Sequence, residues 1–205
     1  MKLNTTKWKN LFIPISKEVN LRSSTVSINE RKAAVLVPLI VSNNQFESPS
    51  LLFTKRSMTV GSHKGHVSFP GGHLLQDESY EDAALRETYE EIGLDPSFVR
   101  IVGKMQTVPA LTGTPVTPIL GIIETSSCKD LIQELSTTLD SVEVDAIFSK
   151  SLNDLIHVRR EKIVEHKGKS YLMPLYGDDD DPFLVWGLTA WMVQAFLEFT
   201  KNELR

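Results

Sequence analysis

Apolar runs of strand length alternate along the chain with stretches that have helical periodicity. The run AAVLVPLIV at Ala33–Val41 predicts a buried strand, in which Pro38 indicates a sheet edge or a bulge. Further strands are predicted from apolar segments of similar length at Ser50–Arg56, Phe98–Gln106, Val116–Glu124, Val142–Phe148 and Ser170–Tyr176. Since helical segments lie between them, the pattern indicates one mixed α/β domain without internal repeats.

The clearest predicted helix spans Tyr80–Ile92. Ser79 is its expected N-cap, Asp82 stands at the capping-box position, and Gly93 supplies the C-terminal stop. A short helix is predicted at Ser151–Ile156, and an amphipathic helix rich in Leu, Trp and Phe at Trp186–Lys201.

Composition removes several classes of protein. The 205 residues carry 22 basic and 26 acidic side chains, and the net charge of −4 argues against nucleic-acid binding. The single cysteine, Cys128, excludes an intramolecular disulfide framework, and we interpret its surroundings as a polar loop. No apolar run approaches the length of a transmembrane helix, so no membrane partner is expected.

The first 30 residues form an N-terminal extension in this interpretation, and residues 31–205 form the single domain. The extension is lysine-rich, and its first acid is Glu18 and its first arginine Arg22. Acid-poor segments are typical of mitochondrial transit peptides, but those favour arginine. A targeting segment and a basic surface segment both remain open, so the expected location is intracellular, either mitochondrial or cytoplasmic.

The Tyr80–Ile92 helix has an acidic face. At about 100° per residue, Glu87, Glu90 and Glu91 fall together, opposite a packing face that includes Leu85 and Ile92. Like charges at i,i+4 destabilise a helix by about 0.2–0.5 kcal/mol. A hard divalent cation would relieve this repulsion, and a solvated acidic face is the alternative. Residues 69–72 are interpreted as a turn, from which the carbonyl of Gly72 can add a further ligand.

The spacing around this helix resembles the signature of the Nudix hydrolases. Gly72 is followed after five residues by Glu78, and after seven more by the run RETYEEIGL at residues 86–94. Thr88 is the one departure, because an aliphatic residue is usual there.

The resemblance implies a Nudix-type α/β/α sandwich with a mixed sheet, and hydrolysis of a nucleoside diphosphate linked to another group. It implies that Glu87, Glu90 and Glu91 bind Mg²⁺ or Mn²⁺, with Gly72 as the further ligand. Glu78 and Arg86 would form an ion pair that orients the helix. Glu87 is the expected general base, and Glu143 is the alternative.

The segment before this signature resembles the coenzyme A diphosphatases among the Nudix hydrolases, in particular the mitochondrial-type eukaryotic ones. Its ends read LFTKRS at 52–57 and GHVSFPGG at 65–72, and the overall resemblance spans about residues 33–195. Gly61 departs from the pattern, because an arginine is common there. The resemblance implies cleavage of coenzyme A and acyl-coenzyme A to 3′,5′-ADP and 4′-phosphopantetheine or its acyl form. The expected substrate-binding residues are Arg56, His63, Lys64, Gly65, Phe69 and Gly71.

Two other functions remain open. One is a Nudix diphosphatase for NADH, ADP-ribose or an oxidised nucleotide; the other is a binding module without turnover, against which the intact set of acids and Arg86 argues. The acidic run Asp178–Asp181 is interpreted as a solvated loop. Trp186 and Trp191 are candidates either for stacking on adenine or for core packing. The sequence leaves the acyl-chain preference open, and it does not distinguish a monomer from a homodimer.

Overall fold

The computed structural model describes residues 31–44, 47–59, 64–166 and 169–203. Its strands are β1 Ala33–Ser42, β2 Ser50–Arg56, β3 Val67–Ser68, β4 Gly71–His73, β5 Val99–Lys104, β6 Val108–Pro109, β7 Pro115–Thr125, β8 Val144–Ser151, β9 Arg159–His166 and β10 Lys169–Tyr176. Its helices are α1 Tyr80–Ile92, α2 Cys128–Leu135, α3 Leu152–His157 and α4 Gly187–Glu203, with a 3₁₀ turn at Pro96–Phe98. None of these helices has the length and apolar character needed to cross a membrane.

Strand β1 is central in the main sheet. It pairs in parallel with β7 along its whole length, and antiparallel with β4 at its start and β2 near its end. The strand order is β3-β2-β1-β7-β5, with β6 on β7 and β8 on β2, while β9 and β10 form a separate hairpin. The predicted mixed sheet is therefore confirmed.

Helices cover the main sheet on both faces. Along β1, Val37 and Leu39 pack in one core with α4, whereas Leu36 and Ile40 pack in a second core with α1 and α2. Since successive side chains of a strand point to opposite faces, a strand covered on both sides is apolar throughout. This explains the uninterrupted run at residues 33–41 and confirms the predicted α/β/α sandwich.

Pro38 lies in the middle of the central strand, so its interpretation as an edge or bulge was wrong. The N–H of Leu36 points towards β4, where it donates to the carbonyl of Pro70 at 2.8 Å. The nitrogen of Pro38, two residues on, faces the same side. At this position β1 pairs with neither strand on that side, because its pairing with β4 ends at Val35 and its pairing with β2 begins at Leu39. The missing donor therefore falls where β1 changes partners.

Two further interpretations need correction. Cys128 does not lie in a loop: it opens α2, whose N-cap Ser127 accepts from the N–H of Asp130. The segment 69–72 is not simply a turn, because Gly71–His73 is a short strand.

Candidate active site

Helix α1 begins and ends where its local sequence dictates. The Ser79 hydroxyl accepts from the N–H of Asp82 at 3.0 Å and donates to its carboxylate at 2.7 Å. At the other end, Gly93 takes a left-handed conformation with φ +71° and donates to the carbonyl of Tyr89. Between the caps, Ala83 and Ala84 are fully buried against the sheet. The acidic residues of the helix therefore hold fixed positions beside β4.

Arg86 is the centre of the site. Its Nε and Nη2 donate to the two oxygens of Glu78 at 2.8 and 3.0 Å. Its Nη1 donates to Glu87 at 2.9 Å and to Glu90 at 3.2 Å. The same guanidinium also reaches the carbonyl of His73 in β4 at 3.0 Å. One arginine thus joins the helix, strand β4 and three carboxylates. The predicted ion pair between Glu78 and Arg86 is one of these contacts.

The fork to Glu78 is charge-assisted on both sides. The hydrogen bond from Arg86 lowers the pKa of Glu78, and the N–H of Leu75, which donates at 2.8 Å, acts in the same direction. The pKa of Arg86 is raised, chiefly by the same contact. Bidentate arginine–carboxylate pairs fix orientation as well as charge. Glu78 therefore holds Arg86 in one pose, which in turn holds Glu87 and Glu90.

Two glycines of β4 let the strand approach its neighbours closely. A Cβ on Gly72 would lie 2.4 Å from the carboxylate of Glu87. A Cβ on Gly71 would lie 2.3 Å from the carbonyl oxygen of Ala34 in β1, and Gly71 has φ +145°. Gly71 also donates its N–H to Glu91 at 3.2 Å. Only glycine fits at position 71, and a Cβ at position 72 would displace the Glu87 carboxylate, so the strand and the carboxylates are in direct contact.

Glu91 differs from the other acids because it is buried. It is 4% exposed, whereas Glu90 lies on the surface and Glu87 is half-buried. Burial raises the pKa of Glu91 to about 8, against the opposing effects of the Gly71 N–H and the Arg56 charge. The nearest cation is Arg56 at the end of β2, whose Nη1 lies 4.0 Å from Glu91 Oε1. The Nε of Arg56 is buried and has no hydrogen-bond partner within the described ranges.

The donor set suits a hard divalent cation. Carboxylates and a backbone carbonyl are the oxygen ligands that Mg²⁺ and Mn²⁺ prefer. The Glu87 carboxylate lies directly beside the backbone of Gly72. Within the described ranges, no three acidic, histidine or cysteine side chains converge in ligand positions. Glu87 and Glu90 are instead turned towards Arg86. The types of donor present therefore fit a hard cation although the side chains do not converge, and Glu87, Glu90 and Glu91 as its ligands stay a prediction.

The residues expected to bind substrate are distributed around this cluster. Gly65, with φ +67°, donates to the carbonyl of Arg56 at 3.1 Å, which brings the exposed Lys64 back towards the end of β2. Phe69 is 2% exposed and its ring stacks on Phe53, so it supports the site from the core. His63 and the departure at Gly61 lie outside the described residues.

Glu143, the alternative base, lies on the same side of the cluster. Its charge acts on Glu91 and raises the pKa of that group. Its carbonyl accepts from the N–H of Ser57 at 2.8 Å, so the segment before β8 is tied to the residue that follows Arg56.

The loop before α4 contributes contacts that sequence reasoning missed. Asp181, interpreted as part of a solvated run, pairs with Lys150 at 3.0 Å; burial tends to raise its pKa, but hydrogen bonds from Phe183 and Lys150 hold it below its ordinary value. This pair fixes Phe183, over whose ring lies the Lys55 ammonium, 5.4 Å from the centroid. Trp186 packs edge-on against His66 at 4.7 Å. Lys150 and Asp181 are 31 positions apart, and the contacts of Phe183 with Lys55 and of Trp186 with His66 join residues more than 100 positions apart, so no local signal exists for any of them.

The carboxylate helix, its central arginine and the glycine strand all lie in the part of the chain that a family model matches. The NUDIX domain model matches residues 30–166, and the chain belongs to the Nudix hydrolase family. It is 34% identical over 171 residues to the Nudix hydrolase NudL of Escherichia coli O7:K1, covering 82% of each chain. It is 33% identical over 168 residues to NudL of Enterobacter sp. strain 638, covering 82% of this chain and 81% of that protein.

A solved structure shows the same fold. The crystal structure of a mutT/nudix family protein from Listeria innocua aligns over 85% of this chain and 96% of that chain. Its TM-score is 0.52 at 16% sequence identity, which supports the fold alone.

Proposed function

We propose that the protein hydrolyses the diphosphate bond of coenzyme A and acyl-coenzyme A with Mg²⁺ or Mn²⁺, giving 3′,5′-ADP and 4′-phosphopantetheine or its acyl form. The observation that carries this proposal is the position of Arg56. This residue belongs to the segment that resembles coenzyme A diphosphatases, and its guanidinium stands beside the buried Glu91. A basic group next to a metal-binding carboxylate cluster suits a substrate with several phosphates.

Water is the nucleophile in the proposed reaction. It adds to one phosphorus of the diphosphate, the bond from that phosphorus to the bridging oxygen breaks, and the acyl thioester is untouched. The metal, when bound, neutralises phosphate charge and activates the water. Glu78 and Arg86 keep the ligand carboxylates in position, and Arg56, whose Nε has no hydrogen-bond partner within the described ranges, would bind a phosphate oxygen.

Glu87 is the proposed base, since it lies against the glycine strand at the centre of the cluster. A carboxylate within hydrogen-bond reach of the water takes its proton. Glu143 is the alternative base, so the variants Glu87→Gln and Glu143→Gln are compared by the pH profile of kcat. The variant that loses the acidic limb of the profile identifies the base.

The substrate is tested directly. Purified protein is incubated with Mg²⁺ or Mn²⁺ and with coenzyme A, octanoyl-coenzyme A, NADH, ADP-ribose or an oxidised nucleotide, and products are identified by mass spectrometry. We expect 3′,5′-ADP from the first two. Cleavage of NADH or ADP-ribose with coenzyme A left intact would refute the proposal in favour of another Nudix diphosphatase. Absence of any cleavage would indicate a binding module.

Two variants connect the activity to the site. Glu91→Gln should lose most of the activity while remaining folded, whereas Glu81→Gln, in the first turn of the same helix, should retain it. Arg56→Lys keeps the charge but lacks the planar fork, so its kcat/KM for coenzyme A should fall by about 10-fold or more. Equal activity of Glu91→Gln and Glu81→Gln would overturn the ligand assignment.

The remaining expectations stay predictions. An intracellular location, mitochondrial or cytoplasmic, depends on residues 1–30, which lie outside the described ranges. The domain boundary at residue 31 and the choice between monomer and homodimer are likewise untested. Small-molecule nucleotide derivatives are the substrates that the family membership supports.

A further inference from the structure

Trp186, the residue before α4, is partly exposed although its position is fixed. Its exposed fraction is 38%, and its indole packs edge-on against the imidazole of His66, with 4.7 Å between the ring centroids. A tryptophan held in this way offers a large apolar surface to a ligand, and little conformational entropy is lost when the ligand binds.

The backbone around Trp186 is held from two sides. Val185 exchanges two backbone hydrogen bonds with the buried Tyr176 of β10, at 2.9 and 3.1 Å. In the first turn of α4, the hydroxyl of Thr189 donates to the carbonyl of Val67 in β3 at 3.1 Å. Trp186 lies between these two attachments, so the start of α4 keeps its indole beside the start of β3.

His66 connects this indole to the candidate active site. The N–H of Arg56 donates to the carbonyl of His66 at 2.9 Å, so these two residues are opposite each other. The next opposed pair, Thr54 and Ser68, has its hydroxyl oxygens 3.1 Å apart, so opposed side chains share a face here. Because side chains repeat every two residues along a strand, Arg56 and His66 share that face, and Arg56 meets Glu91 there.

Four side chains therefore form a row that runs from the carboxylate cluster to the surface, in the order Glu91, Arg56, His66 and Trp186. An adenosine diphosphate derivative presents its groups in a matching order, with a ribose between the diphosphate and the base. When Arg56 binds the diphosphate, the ribose lies beside His66 and the base reaches the indole of Trp186.

We propose that the indole of Trp186 is the stacking surface for the adenine base of the substrate. The inference rests on the proposed function only in requiring an adenosine diphosphate derivative, which coenzyme A, NADH and ADP-ribose all are. Stacking of a base on an aromatic side chain contributes about 5- to 150-fold in affinity and tolerates different bases. Trp186 thus contributes to binding of the nucleotide half of coenzyme A and not of the pantetheine half.

The test compares the two halves of coenzyme A in the presence of Mg²⁺. Isothermal titration calorimetry measures the binding of 3′,5′-ADP, which carries the base, and of 4′-phosphopantetheine, which lacks it. Trp186→Ala should weaken binding of 3′,5′-ADP by about 5-fold or more and leave that of 4′-phosphopantetheine within about 2-fold. Trp186→Phe, which keeps an aromatic ring, should retain most of the affinity.

Trp191 supplies the matched control. Its indole is similarly exposed, at 40%, and it lies five residues further along the chain in α4. Trp191→Ala should leave the binding of both ligands within about 2-fold of wild type. In steady-state assays with coenzyme A, Trp186→Ala should raise KM with little change in kcat, because the base is not at the reacting phosphorus.

The outcomes separate this inference from the proposed function. If wild type cleaves no coenzyme A but Trp186→Ala selectively weakens binding of 3′,5′-ADP, the substrate proposal fails and the stacking assignment stands. If wild type cleaves coenzyme A and Trp186→Ala binds 3′,5′-ADP as tightly as wild type does, only the stacking assignment is overturned. Equal weakening of both ligands, or a lower melting temperature of Trp186→Ala that accounts for the loss, would indicate a structural role and also overturn it.

Discussion

Alanine substitutions at three strand glycines should give three different phenotypes. Gly71 and Gly72 are adjacent in β4, and Gly103 lies in β5. The added methyl group is the same in each case, so the difference comes from what the new Cβ meets and, at Gly71, also from the backbone conformation. At Gly71 it meets the backbone of β1, at Gly72 a carboxylate, and at Gly103 nothing within 4 Å.

Gly72→Ala should fold and lose activity. Its Cβ would lie 2.4 Å from the Glu87 carboxylate, against the 3.4 Å or more of an ordinary contact, so the carboxylate must retreat by about 1 Å. That movement also breaks the 2.9 Å hydrogen bond from Arg86. A misplacement of this size costs about 100-fold in rate. The stability cost is a partly exposed ion pair, about 1 kcal/mol or less, which the gain from replacing glycine offsets in part.

Gly71→Ala should destabilise the fold itself. Its Cβ would lie 2.3 Å from Ala34 O and 2.5 Å from Val35 Cα, and these backbone atoms of the central strand have little freedom to move. The φ of +145° adds strain for any side chain. We expect a loss of about 3 kcal/mol or more, which lowers the melting temperature by about 6–12 °C.

Gly103→Ala is the matched control. It should leave the hydrolysis of free coenzyme A unchanged and raise the free energy of unfolding by about 0.5–1 kcal/mol. The assay combines thermal or urea unfolding with kcat for coenzyme A at saturating Mg²⁺. Full activity of Gly72→Ala would refute the argument that Glu87 needs the space beside Gly72. Equal destabilisation by all three substitutions would refute the reasoning from local contacts altogether.

Three further predictions test charges and buried groups. Arg86→Lys loses the fork that reaches Glu78 and Glu87 together, so kcat should fall by about 100-fold, and activity near that of wild type would contradict the central role of this residue. Burial raises the pKa of Glu91 to about 8 from an ordinary 4.5. With metal ions removed by a chelator, the free energy of unfolding should therefore fall by about 1.4 kcal/mol per pH unit as the pH rises from 4.5 to 8. Urea titrations across that range should show a shallower fall for Glu91→Gln; parallel curves would contradict the shift. Tyr176→Phe should be neutral or stabilising by about 1 kcal/mol in the same assay, because the Tyr176 hydroxyl is buried without a partner in the described ranges.

Local signals predicted helix α1 well. Its bounds, Tyr80–Ile92, agree with the structure residue for residue, because Ser79 and Gly93 act through contacts within the helix ends. The central strand was equally easy to predict from the sequence, because burial on both faces makes it apolar throughout. The eight-residue α2 was missed because it is short, half of its sequence CKDLIQEL is polar, and Leu135 is its one buried residue.

The helical periodicity of about 100° per residue placed Glu91 with Glu87 and Glu90 but did not distinguish the environments of the three side chains. The structure buries Glu91 because β4 passes over that side of α1, and Gly71 and Arg56 reach it from 20 and 35 positions away. Which strand covers a helix is decided by tertiary pairing, and periodicity carries no information on it. The same reason hid the contacts of Asp181 and Phe183, whose partners lie in β8 and β2.

The charges of the cluster explain why a proton and a cation would compete for Glu91. The cluster brings two guanidinium groups together with four carboxylates, namely Arg56 and Arg86 with Glu78, Glu87, Glu90 and Glu91. With every acid ionised, two negative charges remain, the charge that one divalent cation neutralises. In the metal-free fold the buried Glu91, with a pKa of about 8, keeps its proton at neutral pH instead. Metal binding that requires this carboxylate must therefore release a proton below pH 8. Calorimetric titration of Mg²⁺ in buffers of different ionisation enthalpy should detect that proton at pH 7, and Glu91→Gln should abolish it.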